Sequence, residues 1–360
     1  MALGRLEISD FRCLRSVQLT CDPGLNVVSG ANASGKTSLL EAIWFLGRGR
    51  SFRSRRRDSL VRQASAGLSV FAEINTVTGQ VHRLGAGYAA EGLRARLNGE
   101  TVRAVSVLAH HLPVQLIDPH VHRLIEGGPG ERRQFLDWGL FHVEQGFLDD
   151  WTRFRKALRQ RNALLRHPAK ARELPVWESQ LADNGESLSA SREDYVRRLQ
   201  PLLQETVKRI LGDVEVELRY QRGWPAGETL LDALARLRAS EHQSGVTRSG
   251  PHRGDVEILI NGVAAAERVS RGQEKILASC MVLAQQQLYA QASGDQGVLL
   301  LDDLASELDQ RYLSRFMAVL CELPAQKFLT VISAEVLSGL LPLESKMFHV
   351  EQGKVSEVIQ

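Results

Sequence analysis

Short apolar runs and helical stripes alternate along this chain, and their periods divide it into three stretches. In the first, Leu6 and Ile8 alternate with polar neighbours, as do Val17 and Leu19. After the turn signal Asp22-Pro23-Gly24, Leu25, Val27 and Val28 form a brief β-prone run. Leu39, Leu40, Ile43 and Trp44 then recur at helical spacing. The opening fifty residues therefore read as strand, turn, strand, loop, helix. Residues 68–110 read as antiparallel β structure: Leu68–Ile74 largely alternates, Thr78-Gly79 marks a turn, and Leu97-Asn98-Gly99-Glu100 is a hairpin signature.

From about residue 130 the period changes. Phe147, Trp151, Phe154, Leu158 and Leu165 fall on one face of a helix of about five turns. A second stripe runs through Trp177, Leu181, Leu188, Tyr195, Leu199, Leu202 and Ile210, and Pro201 is expected to kink or divide it. His167-Pro168-Ala169-Lys170 reads as the turn joining them into an antiparallel pair, far too short for a long coiled-coil arm. From about Asp213 alternation returns, at Val214, Val216 and Leu218 and again at Val256, Ile258 and Ile260, followed by the hairpin turn Asn261-Gly262. A helix from Glu274 to Tyr289, a buried strand at Val298–Leu301, a helix from Asp309 and a strand near Phe328–Ile332 complete the chain. Strands alternating with helices indicate a parallel sheet. The expected fold class is α/β, one sheet shared by both ends of the chain, with an antiparallel β subdomain and an inserted helical domain. The expected division is 1–130, 131–222 and 223–360.

The loop between the third strand and its helix carries the clearest chemistry. Gly30-Ala31-Asn32-Ala33-Ser34-Gly35-Lys36-Thr37 meets G-x-x-x-x-G-K-[ST] at every fixed position. Its strand–loop–helix context is what phosphate binding needs, since loop amides and the positive end of the helix surround the anion. Lys36 is placed to reach the outer phosphates and the Thr37 hydroxyl to bind Mg²⁺. Far downstream, Val298-Leu299-Leu300-Leu301-Asp302-Asp303 is an apolar strand ending in two carboxylates. At the carboxyl edge of a parallel sheet, Asp302 would hold Mg²⁺ through water and Asp303 would orient or activate the attacking water. The candidate catalytic residues are thus Lys36, Asp302 and Asp303.

Composition adds exclusions. No run approaches the length of a membrane span, and Met1-Ala2-Leu3-Gly4-Arg5 has no apolar signal core. Cys13, Cys21, Cys280 and Cys321 include no C-x-x-C pair, pointing to a reduced cytoplasmic protein without a structural metal. His110 and His111 have no carboxylate or Cys at ligand spacing, so no metal site is assigned to them. Net charge is +3 overall, but residues 1–130 carry +6 and residues 223–360 carry −5. Much of the positive end comes from Arg48, Arg50, Arg53, Arg55, Arg56 and Arg57. Such a cluster suits a polyanion, bound mainly through phosphates because Phe52 stands alone; a solvated loop is the competing reading.

Val269-Ser270-Arg271-Gly272-Gln273 opens a helix about thirty residues before the carboxylate strand and resembles the signature motif of ABC-type ATPases. Ala305-Ser306-Glu307-Leu308-Asp309 resembles their D-loop. With Asp10-Phe11-Arg12, the stretch from Gly128 to Asp137 (GPGERRQFLD) and Gly250-Pro251-His252-Arg253, the chain resembles the RecF family of SMC-like ABC ATPases over most of its length. That resemblance implies a P-loop ATPase head of ABC/SMC type with ATP and Mg²⁺ as cofactors. In it, Ser270, Arg271, Gly272 and Gln273 of one copy cap the nucleotide of another in an ATP-dependent homodimer. It further implies weak, DNA-stimulated ATP hydrolysis, binding to duplex DNA or single/double-strand junctions, and cooperation with RecR and RecO in loading RecA during recombinational and replication-gap repair. No membrane partner is expected.

Two departures from the wider ABC pattern stand out. Asp303 replaces the usual Glu, one methylene shorter, which predicts slow hydrolysis. The switch His is missing from Ile332-Ser333-Ala334-Glu335, leaving Ser333 as a γ-phosphate sensor or a turn cap. Gln115, in Pro113-Val114-Gln115-Leu116, is the candidate for the Gln that watches Mg²⁺, or else a plain strand Gln. Arg12 reads as a nucleotide contact or an ion pair, and His252 and Arg253 as interface residues or a structural turn. The alternative to the repair reading is an ABC subunit of a transport machine, which would favour Glu at 303 and His near 333.

Overall fold

The computed structural model describes residues 1–167, 172–342 and 344–358, so the expected turn at Pro168–Lys170 lies outside the described residues. The chain divides into two compact units, Met1–Val121 with Arg209–Gly212 and Ser279–Gln360, and His122–Lys208 with Asp213–Ala278.

The first unit opens with β1 (Ala2–Phe11), β2 (Leu14–Thr20), β3 (Leu25–Ser29) and α1 (Lys36–Arg48). Next come β4 (Gly67–Asn75), β5 (Val81–Ala89), β6 (Gly92–Leu97), β7 (Glu100–Val102), α2 (Ser106–His111) and β8 (Val114–Ile117). Antiparallel pairing therefore stops at Val102; residues 106–111, expected as β, form a helix because Leu108, Ala109 and Leu112 are buried together at helical spacing. The second unit holds α3 (Arg123–Glu126), α4 (Pro129–Val143), α5 (Phe147–Leu165), α6 (Leu174–Leu211), β9 (Val216–Gln221), α7 (Leu230–Ser244), β10 (Asp255–Ile260), β11 (Val263–Ala264) and α8 (Ala265–Arg268). The last residues of α6 fall in the first unit. Helix α9 (Arg271–Ser293) starts in the second unit and ends in the first, which resumes with β12 (Gly297–Leu301), α10 (Gln310–Glu322), β13 (Ala325–Val331), β14 (Lys346–Glu351) and β15 (Lys354–Val358).

Two six-stranded sheets make the first unit. One is antiparallel, in the order β2-β1-β4-β5-β6-β7. The other runs β15-β14-β3-β13-β12-β8; every pairing is parallel except the edge hairpin β14–β15. Strands from both ends of the chain thus share this sheet, as their apolar runs imply. All residues of β3, β12 and β13 are buried, the pattern of a sheet covered on both faces. A single core takes Leu6, Ile8 and Phe11 from one sheet, Val28, Leu300 and Phe328 from the other, and Leu39, Ile43, Phe45 and Leu46 from α1. Apolar on most of its surface, α1 is buried around most of its circumference.

In the second unit, β9, β10 and β11 form a separate antiparallel sheet, so the strands at 216–221 and 255–260 lie apart from the parallel one. Helix α6 runs 38 residues without a break at Pro201. Residues flanking that proline are anchored: Gln200 and Gln204 hydrogen-bond the backbone of Val214, Val216 and Leu218. These bonds also occupy the open edge of β9. Fully buried Arg161 pairs with Glu178 at 3.0 Å and Glu241 at 2.7 Å and donates to Thr247 Oγ1 at 2.8 Å, fixing α5, α6 and α7 to one another.

Candidate functional site

Gly30–Thr37 leaves the carboxyl end of β3 and enters α1, so the phosphate loop sits where a doubly wound sheet binds its ligand. Gly30 has φ +154, and a Cβ there would lie 2.3 Å from the Val350 carbonyl oxygen; no other residue fits. At the loop tip Ala33 adopts φ +62, a strained conformation for a residue with a Cβ. The Gly353 amide, in the β14–β15 turn, donates to Ser34 O at 2.8 Å and braces the loop from outside. Among the described residues no side chain caps the N-terminus of α1, which leaves its first amides for an anion.

Lys36 curls back over the loop, donating to Gly30 O at 2.7 Å and Ala31 O at 3.0 Å. Its pKa is lowered by burial, against the upward pull of Asp303 and Asp302. The Thr37 hydroxyl lies 3.0 Å from each carboxylate oxygen of Asp302. Asp302 is buried at the end of β12, held by its amide to Ile117 O at 2.8 Å and by Thr330 Oγ1 at 3.0 Å. Burial raises its pKa; hydrogen bonds from Thr330 and Thr37 oppose this, and the charges of Asp303 and Asp118 reinforce it. Among the described residues no three acidic, His or Cys side chains are arranged as a metal cage. A hydroxyl and a carboxylate, both hard oxygen donors, nevertheless fit Mg²⁺, which is commonly held by one or two protein ligands plus substrate phosphates.

Asp303 takes the left-handed conformation, φ 56, which ends the strand line at this residue. Its amide donates to Thr330 Oγ1 at 2.8 Å, and its carboxylate accepts no hydrogen bond among the described residues. Sequence reasoning missed both Thr330 and Asp118. The first is one polar residue inside an apolar strand and gives no signal. The second, directly after the short strand Val114–Ile117, repeats the strand-then-carboxylate pattern that revealed Asp302, with Gln115 interrupting the apolar run.

Gln115 requires a correction. It pairs with Leu299, three residues before Asp302, about 10 Å short of the sheet edge. Its amide nitrogen donates 2.6 Å to Gln285 on α9, so it belongs to the buried interior. Ser333 accepts from the Glu335 amide at 3.3 Å and caps the short helical turn Ala334–Leu337. Arg12 grips buried Glu41 of α1 through two bonds of 2.9 Å, the ion pair of its two readings.

The signature residues lie in the second unit. Ser270 caps α9: its Oγ accepts from the Gln273 amide at 3.4 Å, and Gln273 Oε1 returns to the Ser270 amide at 3.0 Å. Ser270, Arg271, Gly272 and Gln273 are all exposed. A Cβ at Gly272 would meet nothing within 4 Å, so among the described residues no packing demands a glycine there.

The RecF/RecN/SMC N-terminal domain family model matches residues 2–356. The DNA replication and repair protein RecF of Pseudomonas aeruginosa strain LESB58 is 39% identical over 364 aligned residues, covering 99% of this chain and 98% of that protein. The chain belongs to the RecF family. The corresponding protein of Pseudomonas putida strain KT2440 is 38% identical over the same shares. Among solved structures, the recombination mediator protein RecF with ATP, of the RecFOR pathway, matches with a TM-score of 0.86 at 26% identity, covering 99% of this chain and 98% of that one. An Smc head bound to the C-terminal winged-helix domain of ScpA matches with a TM-score of 0.63 at 16% identity, which shows the shared fold alone.

Two of the stretches that carry the RecF resemblance prove to be one network. Arg132 of α4 pairs bidentately with Asp255 at 2.7 and 2.9 Å, and Arg133 donates to Gly254 O at 2.7 Å. Arg192 joins Asp137 at 2.7 Å to Pro251 O at 2.7 Å. His252 lies 3.0 Å from Thr247 O, while Arg253 stays exposed. The Gly250–Arg253 turn is thus held rigidly by the GERRQFLD helix.

The Arg48–Arg57 segment is more structured than its composition suggests. Arg48 stacks on Trp44, and Phe52 packs edge-on against the same ring, so neither aromatic is free for a base. Burial, aided by Arg50, pushes the Arg48 pKa down to about 10. Arg57 donates to Gly49 O at 2.8 Å, Arg56 pairs with Asp58, and Arg53 approaches Glu41 at 4.0 Å. Arg50 and Arg55 are exposed and make no ion pair or hydrogen bond among the described residues.

Proposed function

We propose that this chain is an ATP-dependent DNA-binding protein of recombinational and replication-gap repair, in which ATP joins two heads on DNA and slow hydrolysis releases them. One observation carries the reading: Ser270–Gln273 is a finished, exposed helix cap whose glycine meets no partner among the described residues. A preformed cap over open space is half of a nucleotide site, and Gly30–Thr37 is the other half. In a two-fold dimer each copy supplies both halves, giving two sites.

The residues have distinct tasks. Loop amides and the α1 N-terminus cradle the phosphates, and Lys36 exchanges its two carbonyl bonds for the outer phosphates. Thr37 and Asp302 would hold Mg²⁺, which supplies charge neutralisation on the phosphates when bound. Asp303 orients the attacking water and takes its proton. Its short side chain favours slow turnover, with DNA as the stimulus. Ser270, Arg271, Gly272 and Gln273 close the partner's γ-phosphate.

The names of the relatives support the repair role, and the ATP-bound RecF structure supports ATP as the nucleotide. Duplex DNA or single/double-strand junctions, RecR and RecO, and RecA loading in the cytoplasm complete the proposal. Nothing in the comparisons supports the transport alternative, and among the described residues no helix is long and apolar enough to cross a membrane. Sedimentation with ATP and Mg²⁺, with and without duplex DNA, tests the reading. Wild type should dimerise, and Lys36→Met and Ser270→Arg should stay monomeric. Dimerisation of both variants with ATP would overturn it.

A further inference from the structure

The antiparallel sheet of the first unit turns one face to the core and the other to solvent. On the solvent side the register aligns Phe71 of β4, Gly85 of β5 and Arg96 of β6 in one row, with Ser69, Gly87 and Arg94 in the next. A cavity of about 440 Å³ opens there. Three of its lining residues are arginines, Arg83, Arg94 and Arg96, and none is a carboxylate. Arg83 is drawn off towards Glu73 at 3.4 Å and Arg94 loosely towards Glu91 at 3.8 Å, while Arg96 makes no ion pair or hydrogen bond among the described residues.

The floor of the cavity explains its shape. Gly85 lies in regular strand, and a Cβ there would touch only the Arg96 Cβ, at an ordinary 3.7 Å. A glycine inside a strand weakens it and is a common mark of close approach by a ligand. Among the described residues nothing requires it, and its effect is a slot between the half-buried Phe71 and Arg96, whose strands lie about 10 Å apart on either side of β5.

We propose that this face is a second nucleic-acid surface, taking an unpaired nucleotide of single-stranded DNA with its base against Phe71 over Gly85 and its phosphate on Arg94 and Arg96. Aromatic stacking beside a basic groove is how single strands are held without sequence preference. A duplex keeps its base faces stacked and offers only phosphates to such a recess. The surface is separate from the Arg48–Arg57 segment, whose aromatics are already packed. The inference rests on the reading that the protein acts on DNA.

Fluorescence anisotropy of the full chain with a labelled oligo(dT) and with a blunt duplex separates the two. Gly85→Val should fold at least as stably as wild type, because a β-branched residue suits a strand. It should nevertheless bind oligo(dT) about tenfold more weakly, with duplex affinity held within about twofold. Phe71→Leu and Arg96→Gln should lose a similar factor on oligo(dT), and an abasic oligomer should bind as weakly to wild type. Stable Gly85→Val with wild-type oligo(dT) affinity would overturn the proposal and leave the face to a protein partner. Equal losses on duplex and single strand, or full affinity for the abasic oligomer, would overturn it as well. Loss of duplex binding alone by Arg50→Ala and Arg55→Ala would leave it standing. A wild-type chain that binds oligo(dT) in this way but never dimerises with ATP would refute the repair switch and not this surface.

Discussion

The Thr37 hydroxyl lies 3.0 Å from both carboxylate oxygens of Asp302, a residue 265 positions away in the chain. That contact joins the first turn of α1 to the end of β12 and brings two oxygen donors to the phosphate loop. It also leaves Asp302 buried and raised in pKa, with no ion pair within salt-bridge distance among the described residues. A carboxyl group raised above its ordinary 3.8 favours folding in its protonated form; that contribution is present in acid and is lost as pH rises through the raised value. At neutral pH the nucleotide-free fold therefore bears the cost of the buried anion. Asp302→Asn should raise the melting temperature without nucleotide at pH 7.5, by roughly 2 °C. The gain should shrink as pH falls through the raised pKa, and ATP hydrolysis should be lost. A melting temperature equal to wild type across that range would show that the anion carries no such cost.

Gly30 and Gly272 are both motif glycines, yet they answer to different constraints. Gly30→Ala drives a Cβ to 2.3 Å from Val350 O at a positive φ, and should cost about 1–3 kcal/mol in urea unfolding. Gly272→Ala places its methyl in open space on a helix and should stabilise the monomer by up to about 1 kcal/mol. Sedimentation with ATP should then show the more stable Gly272→Ala chain failing to dimerise. Normal dimerisation would mean that no partner approaches that glycine.

Glu41 has no exposed surface and receives Arg12, Ser51 and, at 4.0 Å, Arg53. Removing its carboxylate takes the ion partner from the largely buried Arg12 guanidinium, which keeps its bond to Ser59 O at 2.8 Å. Glu41→Ala should lower unfolding free energy by about 3–5 kcal/mol, as breaking a buried pair does. A loss under about 1 kcal/mol would place the pair with ordinary surface bridges.

Duplex binding should weaken steeply with salt. Arg50→Ala and Arg55→Ala, which remove the two uncommitted guanidiniums, should each reduce the log–log salt slope by about 0.9 while leaving stability unchanged. Arg57→Ala removes the bond to Gly49 O and should act on stability first. Slopes unaffected by Arg50 and Arg55 would take this segment off the DNA surface.

Asp303→Glu lengthens the carboxylate by one methylene, and single-turnover hydrolysis with ATP should accelerate. An unchanged rate would mean that side-chain length is not what limits the reaction.

Local chemistry was legible wherever it is contiguous. Gly30–Thr37 declares itself because a phosphate cradle needs consecutive amides, and Val298–Asp303 because a strand buried on both faces reads as an unbroken apolar run. The Ser270–Gln273 capping box is equally local. Gln115 was misread because a polar residue in a strand looks the same whether it faces the sheet edge or a buried partner, and Gln285, its partner, lies 170 residues away. Pro201, expected to kink or divide its helix, does not divide it, and the anchoring of Gln200 and Gln204 to β9 is invisible in the helix's own pattern.

By itself, then, the sequence determined the phosphate loop, the carboxylate strand, the cap and the parallel sheet they imply, since backbone periodicity and short-range hydrogen bonding specify each within a few residues. Only the tertiary structure decided that Thr330 holds both Asp302 and Asp303, that Asp118 adds its charge, and that the GERRQFLD helix grips the Gly250–Arg253 turn. It also decided which arginines of 48–57 remain free, and that Gly85 leaves a slot between Phe71 and Arg96. Each of these depends on which strands lie side by side, and strand order is set by burying one shared core rather than by any local pattern.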